Sequence, residues 1–196
     1  MNHPSATTLR LRDPDRAALQ RHFTGLNGED RRLRFGAHIS DEVIEGYLGR
    51  LDFERDGIFA VQDEALEVLA VVHVAVTGAT AELGLSVVPR ARARGLGNAI
   101  FRRAVTFLRN RGVREVFVHC LSENGAMMHL ARKNGMRIVY AGGESDARLA
   151  LEPATADSLV NEWLDDQKAG SVQAMRLNLR LAQSLVGISP LSAKVP

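Results

Sequence analysis

Residues 82–104, ELGLSVVPRARARGLGNAIFRRA, decide how the rest of the chain is read. The first part is a β-rich run closed by Pro89. The last part, from about Gly97 to Arg111, is a helix with Ile100, Phe101, Ala104, Val105 and Leu108 on one stripe. Between them lies an arginine-rich loop with Gly95 and Gly97. Backbone N–H groups curled in such a loop, joined to the first turn of a helix and its partial positive charge, make a cradle for phosphate. Glycine suits it by accepting positive φ and close approach. A lone Gly-x-Gly with a few arginines also makes a plain solvated turn, so the surroundings must decide.

Upstream, residues 57–62 (GIFAVQ), 67–78 (EVLAVVHVAVTG) and 80–89 (TAELGLSVVP) are β-rich runs separated by short turns, as in an antiparallel meander. Before them, TTLRLRD (7–13) alternates as a strand, and Asp13-Pro14 opens a helix that runs to about Leu26. The polar stretch 28–40, GEDRRLRFGAHIS, leads to a second helix from Ser40, with Val43, Ile44, Tyr47, Leu48 and Leu51 on one face. Downstream come a strand at 113–120, a helix from Asn124 to Asn134 closed by Gly135, and a strand pair at 136–142 and 146–153. The order β α α β β β α β α β β is an α/β chain. Residues 1–153 form one domain, and residues 154–196 are expected as a C-terminal helical extension with helices near 155–167 and 171–186.

Of the 196 residues, 45% are hydrophobic and 24% charged, an ordinary globular balance that excludes disordered and fibrous classes. No apolar run is long enough to span a bilayer, and the polar N-terminal stretch lacks the apolar core of a signal peptide, so a cytoplasmic protein is expected. One cysteine, Cys120, excludes an internal disulfide framework and a multi-cysteine zinc site, and no metal site is expected. The pI near 9.0 reflects 22 arginines against three lysines; a formal charge of +2 argues for neither nucleic acid nor membrane as partner.

Arg92-Ala93-Arg94-Gly95-Leu96-Gly97 matches R/Q-x-x-G-x-G/A, and Asn124 to Met136 resembles N-x-x-A-x-x-L-Y-x-K-x-G-F. With the strand before the loop, these motifs make residues 8–152 resemble the GCN5-related N-acetyltransferase (GNAT) superfamily. The resemblance implies a central mixed, mostly antiparallel sheet of about seven strands flanked by about four helices, with acetyl-CoA as co-substrate. Its pyrophosphate would meet the backbone amides of Arg92, Ala93, Arg94, Gly95, Leu96 and Gly97, with Asn98 at the helix start and the Arg90, Arg92 and Arg94 side chains supplementing them. The family splays its fourth and fifth strands at a bulge, and the coenzyme arm pairs with the exposed edge, here Val87 and Val88. Asn124 matches a position that contacts the arm, and its spacing equally suits a helix N-cap.

A lysine-like amine with pKa near 10.4 is neutral only about once in a few thousand molecules at pH 7, so reaching the nucleophilic form costs roughly 4–5 kcal/mol. Glu82, on the strand before the loop, resembles the glutamate that protein-acetylating members use as general base; an alternating strand also carries such a residue as plain surface. The family's tyrosine acid is replaced by Ala131. A thiol leaving group with pKa near 8.5 leaves as thiolate without that acid at a loss of at most about 2 kcal/mol. His129 stands two positions earlier, about 200° away on a helix, and is read as surface or packing. His73 and His119 lie on strands near the acceptor side and are read as structural, and Cys120 is set aside as a nucleophile because the family transfers acetyl directly.

The N-terminal stretch, with Leu26 to Phe35 reading LNGEDRRLRF before Ser-Asp-Glu, resembles the acetyltransferase domain of bacterial protein lysine acetyltransferases. That resemblance implies a protein lysine as acceptor. Two alternatives stay open: a small-molecule amine drawn by Glu29, Asp30, Asp41 and Glu42, and a non-catalytic acyl-CoA-binding sensor or interaction module. The last helix carries Met175, Leu177, Leu179 and Leu181, an apolar surface that needs cover and is expected to make a homodimer contact.

Overall fold

The computed structural model describes residues 6–186. Its strands form where β-branched and apolar residues run together. Val68–Thr77 (β3) is buried along most of its length, and Gly57–Gln62 (β2) and Thr80–Val87 (β4) pair with it on either side. Leu9–Arg10 (β1) adds two residues at one edge, and Glu115–Leu121 (β5), Arg137–Ala141 (β6) and Glu144–Ala150 (β7) complete the other side. Among the described residues the sheet has the order β1-β2-β3-β4-β5-β7-β6, with β4–β5 as its only parallel pair. Gly142 and Gly143, both at positive φ, turn β6 into β7 through two residues, tighter than the three-residue turn expected.

Among the described residues six α-helices flank this sheet, against about four expected. Asp13–Asp15 form a 3-10 turn with Pro14 inside it, leading into Arg16–Thr24 (α1). The stretch expected to be polar loop is a helix, Gly28–Phe35 (α2). Asn27 caps it by accepting from the Asp30 N–H at 2.8 Å, Glu29 and Asp30 stand in its first turn, and Gly36 at φ +80° closes it. Asp41–Gly49 (α3), Leu96–Asn110 (α4) and Gly125–Lys133 (α5) lie close to their expected places.

Strand alternation separates the two faces of β4. Leu85 and Val87 face Gly97 of α4, where an added Cβ would stand 3.7 Å from each side chain. Gly84 and Ser86 face the other way, toward Arg34 of α2 and His22 of α1. Ile100, Phe101, Ala104, Phe107 and Leu108 of α4 are at most 1% exposed and pack on β2, β3 and β4. Burying each large side chain contributes about 1.5–3 kcal/mol.

The C-terminal extension is one helix, Ala156–Val186 (α6), where two were expected. Gly170 does not break it: Ala169 beside it is buried, and the Ser171 hydroxyl donates back to the Gln167 carbonyl at 3.0 Å. The helix lies along α4 and β1. Arg103 of α4, buried with its guanidinium 4.7 Å from the Phe59 ring centre, pairs with Asp166 and Glu162 of α6.

Candidate active site

Strands β4 and β5 pair through only three residues, Thr80↔Glu115, Ala81↔Val116 and Glu82↔Phe117. Beyond Glu82 they part. From Leu83 on, β4 remains bonded to β3, and from Val118 on, β5 remains bonded to β7, so a wedge opens between them. The β3–β4 register runs without a shift, so the parting needs no bulge in β4; the sheet's register irregularity lies between Val61 and Gln62 of β2.

The wedge continues into a groove of about 570 Å³ that includes Leu85, Val87, residues 91–98 and the α5 face carrying Ala126, His129, Leu130 and Lys133. At its end the chain turns through a 3-10 turn at Pro89–Ala91. Ala93 sits at φ +58° and Gly95 at φ +77°, which curls the loop into the start of α4. Positive φ costs an alanine roughly 1–2 kcal/mol, a strain of the kind that gathers at ligand sites. Gly95 is the N-cap and no side chain caps the helix, so the first-turn amides of Leu96, Gly97 and Asn98 keep no intrahelical partner and face a groove of the right size for an anionic ligand.

The expected binding residues sort unequally. Arg92, Ala93, Arg94, Gly95, Leu96, Gly97 and Asn98 all line the groove. The Arg92 guanidinium is engaged by Asp30 and by the Val87 carbonyl at 3.2 Å; Arg90 pairs with Asp63 at 3.3 Å, off the groove. Arg94 is the guanidinium of these three with no bond among the described residues. Val87 directs its carbonyl to the open side, where Arg92 meets it. Val88 is taken up internally, its N–H donating to the Leu69 carbonyl and its own carbonyl accepting from Ala91, each at 2.9 Å. Asn98 accepts from Asn134 at 3.0 Å, tying α4 to α5. Asn124 acts as the N-cap of α5, accepting from Met127 N–H at 3.0 Å while its amide donates to the Leu33 carbonyl.

A second cavity of about 260 Å³ adjoins the groove; Leu33, Arg34, Leu85, Asn124 and Met127 border both. Glu82 lines it at the last β4–β5 pair, exposed and free of ion pairs among the described residues. His119 borders it too. A hydrogen bond from His119 to Asp146 at 2.8 Å raises its pKa, with Glu144 and Glu82 adding to the effect. Burial pushes the Cys120 thiol up, away from the reactive thiolate. Ala131 is fully buried and lines neither cavity, whereas His129, read as surface or packing, lines the coenzyme-sized groove.

Arg34 and Tyr47 escaped the sequence as lining residues, and Asp30, named among acids for a small amine, serves instead as the partner of Arg92. Asp30 and Arg34 belong to the helix read as loop, although Asn27 as cap, the first-turn acids and Gly36 are its start and stop signals. Behind Tyr47 stands a chain of hydrogen bonds: Tyr47 Oη to His73 Nδ1 at 2.9 Å, and His73 Nε2 to Asp56 Oδ2 at 3.1 Å. Burial raises the Tyr47 pKa against the opposing charge of Arg34, and burial lowers that of His73. Burial alone would raise the Asp56 carboxyl, yet bonds from Arg55, His73 and the Val76 N–H bring it below its usual value.

Comparison with known proteins agrees with this geometry. The family model described as acetyltransferase (GNAT) family matches residues 16–136. The GNAT domain of S. lividans PAT superposes with a TM-score of 0.64 at 19% identity, covering 74% of this chain and 89% of that one. Spermidine N-acetyltransferase from Vibrio cholerae, solved with CoA and spermine, gives 0.58 at 16%, covering 74% and 94%. A phosphinothricin acetyltransferase from Sinorhizobium meliloti, solved with AcCoA, gives 0.59 at 13%, covering 78% and 95%. No curated protein matches. With a family model over more than half of its length and the same fold in solved members, the chain belongs to the acetyltransferase (GNAT) family of N-acetyltransferases.

Proposed function

We propose that this chain moves an acetyl group from acetyl-CoA directly to a primary amine, that Glu82 is the general base, and that the acceptor is a lysine side chain of a protein. The observation that carries the reading is the position of Glu82. It stands where β4 and β5 part, in a cavity that adjoins the groove at the start of α4, with its carboxylate unpaired among the described residues.

The groove residues fit acetyl-CoA. The uncapped amides of residues 96–98 and the curled loop at Ala93 and Gly95 suit a pyrophosphate, and the open edge of β4 at Val87 suits the amide-bearing arm. Arg94 adds charge, while Arg92 fixes the loop through Asp30 and Val87. Asn124 shapes the wall as a cap.

Glu82, directly or through water, takes the proton that the amine releases as its nitrogen bonds to the acetyl carbon. The carbon–sulfur bond breaks and the sulfur leaves as thiolate, which takes a proton from solvent. Ala131 supplies no acid, and holding amine and thioester together offsets that loss: orientation is worth about 7–11 kcal/mol in well-aligned reactions, against about 2 kcal/mol for the missing acid.

The protein acceptor rests on the likeness of residues 26–35 to protein lysine acetyltransferases and on α2 placing Leu33 and Arg34 at the junction of the two cavities. Cytoplasmic location goes with the same reading, as does a homodimer through α6, whose Trp163, Met175 and Leu179 are each at least 59% exposed. CoA release, measured over a panel of proteins and small amines, tests the function. Glu82→Gln is expected to lower kcat about 10²–10⁴-fold. An unchanged rate would remove the base, and turnover confined to small amines would remove the protein acceptor.

A further inference from the structure

We propose that Arg34 selects the acceptor by binding a carboxylate carried close to the reacting amine. The assignment rests on the acetyltransferase reading and deepens it by naming what the acceptor must carry.

Arg34 stands in the last turn of α2 and borders both cavities. The rings of Phe35, Phe23 and Tyr47 surround its guanidinium, their centres 4.7, 5.7 and 5.7 Å from Cζ. Rings stabilise a cation without neutralising it. Arg31 pairs with Asp41, Arg32 with Glu29 and Glu123, and Arg92 with Asp30, while Arg94, also unpaired among the described residues, lines the groove and not the Glu82 cavity. Arg34 has no carboxylate partner among the described residues. An arginine built into a cavity wall without an anion is matched by one that the ligand brings.

Its orientation is set from behind. Nη2 donates to the Tyr47 hydroxyl at 3.1 Å. With His73 donating through Nε2–H to Asp56, its Nδ1 accepts the Tyr47 proton, so the phenol oxygen is the acceptor for Arg34. Asp56 is already paired with Arg55 at 2.8 Å and does not serve Arg34. Nε is buried without a partner, and Nη1 makes no hydrogen bond among the described residues.

The spacing defines the acceptor. Arg34 lies against Gly84, two residues along the same face of β4 from Glu82, which is about 7 Å of strand. An amine approaching Glu82 therefore meets Arg34 with a carboxylate held several ångströms from the reacting nitrogen. A lysine beside an acidic residue meets this, and so does a free ω-amino acid. A phosphate dianion does not, because one guanidinium would face it alongside the Glu82 and Glu144 carboxylates of the same cavity.

The test compares matched acceptors: lysine peptides with a neighbouring glutamate or the corresponding glutamine, and an ω-amino acid or its amide. The wild-type kcat/KM is expected to be at least tenfold higher for the acid of whichever pair is acetylated, which also tells a protein acceptor from a small one. Arg34→Gln is expected to bring that ratio to about 1, and Gly84→Ala, which displaces the same guanidinium, to reduce it too; melting curves report folding. Equal wild-type rates for acid and amide overturn the assignment without any variant. A ratio preserved in folded Arg34→Gln, with kcat lowered equally for both acceptors, overturns it in favour of a role at the reacting carbonyl. No acetylation of any acceptor overturns the acetyltransferase reading and this assignment with it, whereas acetylation without preference overturns the assignment alone.

Discussion

The guanidinium of Arg34 lies flat against the backbone of Gly84: a Cβ added there would collide with Cζ and both terminal nitrogens, Nη1 at 2.6 Å. Only the far end of a flexible side chain has to move, so Gly84→Ala should cost little stability, with a melting shift within about 3 °C, near 1 kcal/mol for a chain this long. It should raise the acceptor KM about tenfold, ~1.4 kcal/mol of binding. Steady-state kinetics against acceptor, beside a coenzyme titration, checks this. An unaltered acceptor KM would mean that Arg34 does not meet the acceptor.

His22 makes stability pH-dependent. It is buried between the Val68 carbonyl, which its Nδ1–H meets at 2.9 Å, and the Ser86 hydroxyl, which donates to Nε2 at 2.7 Å. Burial lowers its pKa from 6.5 to about 4. The unfolded chain therefore binds a proton that the folded chain refuses, and stability is lost as pH falls from about 6.5 to about 4, by up to ~3 kcal/mol. His22→Gln should be less stable than wild type near neutrality, and the gap should narrow across that window. Denaturant unfolding of both proteins measures the gap; His73, present in both, cancels. A gap independent of pH would contradict the buried neutral imidazole.

Deleting α6 should be costly for a reason specific to Arg103. Its side chain is 2% exposed, and its anions, Asp166 and Glu162, both come from α6. A chain ending at Pro153 leaves that charge unpaired, a loss of about 3–5 kcal/mol. Arg103→Met in the shortened chain should recover part of it. Thermal melts of the three proteins decide, and a shortened chain as stable as the full one would show that α6 is an appendage.

The sheet was legible because its strands are long apolar runs, and the loop and the α5 segment because their glycines and Asn124 sit where backbone geometry demands them. α2 was hidden by composition: with three arginines and two acids in eight residues it carries too few apolar positions for a helical stripe, and it is stabilised by Asn27 as cap and by the Arg32–Glu29 pair. α6 looked like two helices because Gly170 reads as punctuation, while the buried Ala169 beside it shows a close packing point. Glu82 could be proposed from the strand, but its setting depends on where β4 and β5 stop pairing. The Tyr47–His73–Asp56 chain joins residues 26 and 17 positions apart in sequence, and no local spacing encodes it.

The measurement that tests the account most directly is a calorimetric titration of the wild-type protein and Gly95→Glu with acetyl-CoA. Glutamate at φ +77° strains the loop, and its charge faces the amides that open α4. The account predicts micromolar binding by the wild type and a loss of at least a hundredfold in a variant that still melts cooperatively, about 2.7 kcal/mol. No binding by the wild type, or equal binding by the variant, would contradict the cradle and with it the catalytic assignment.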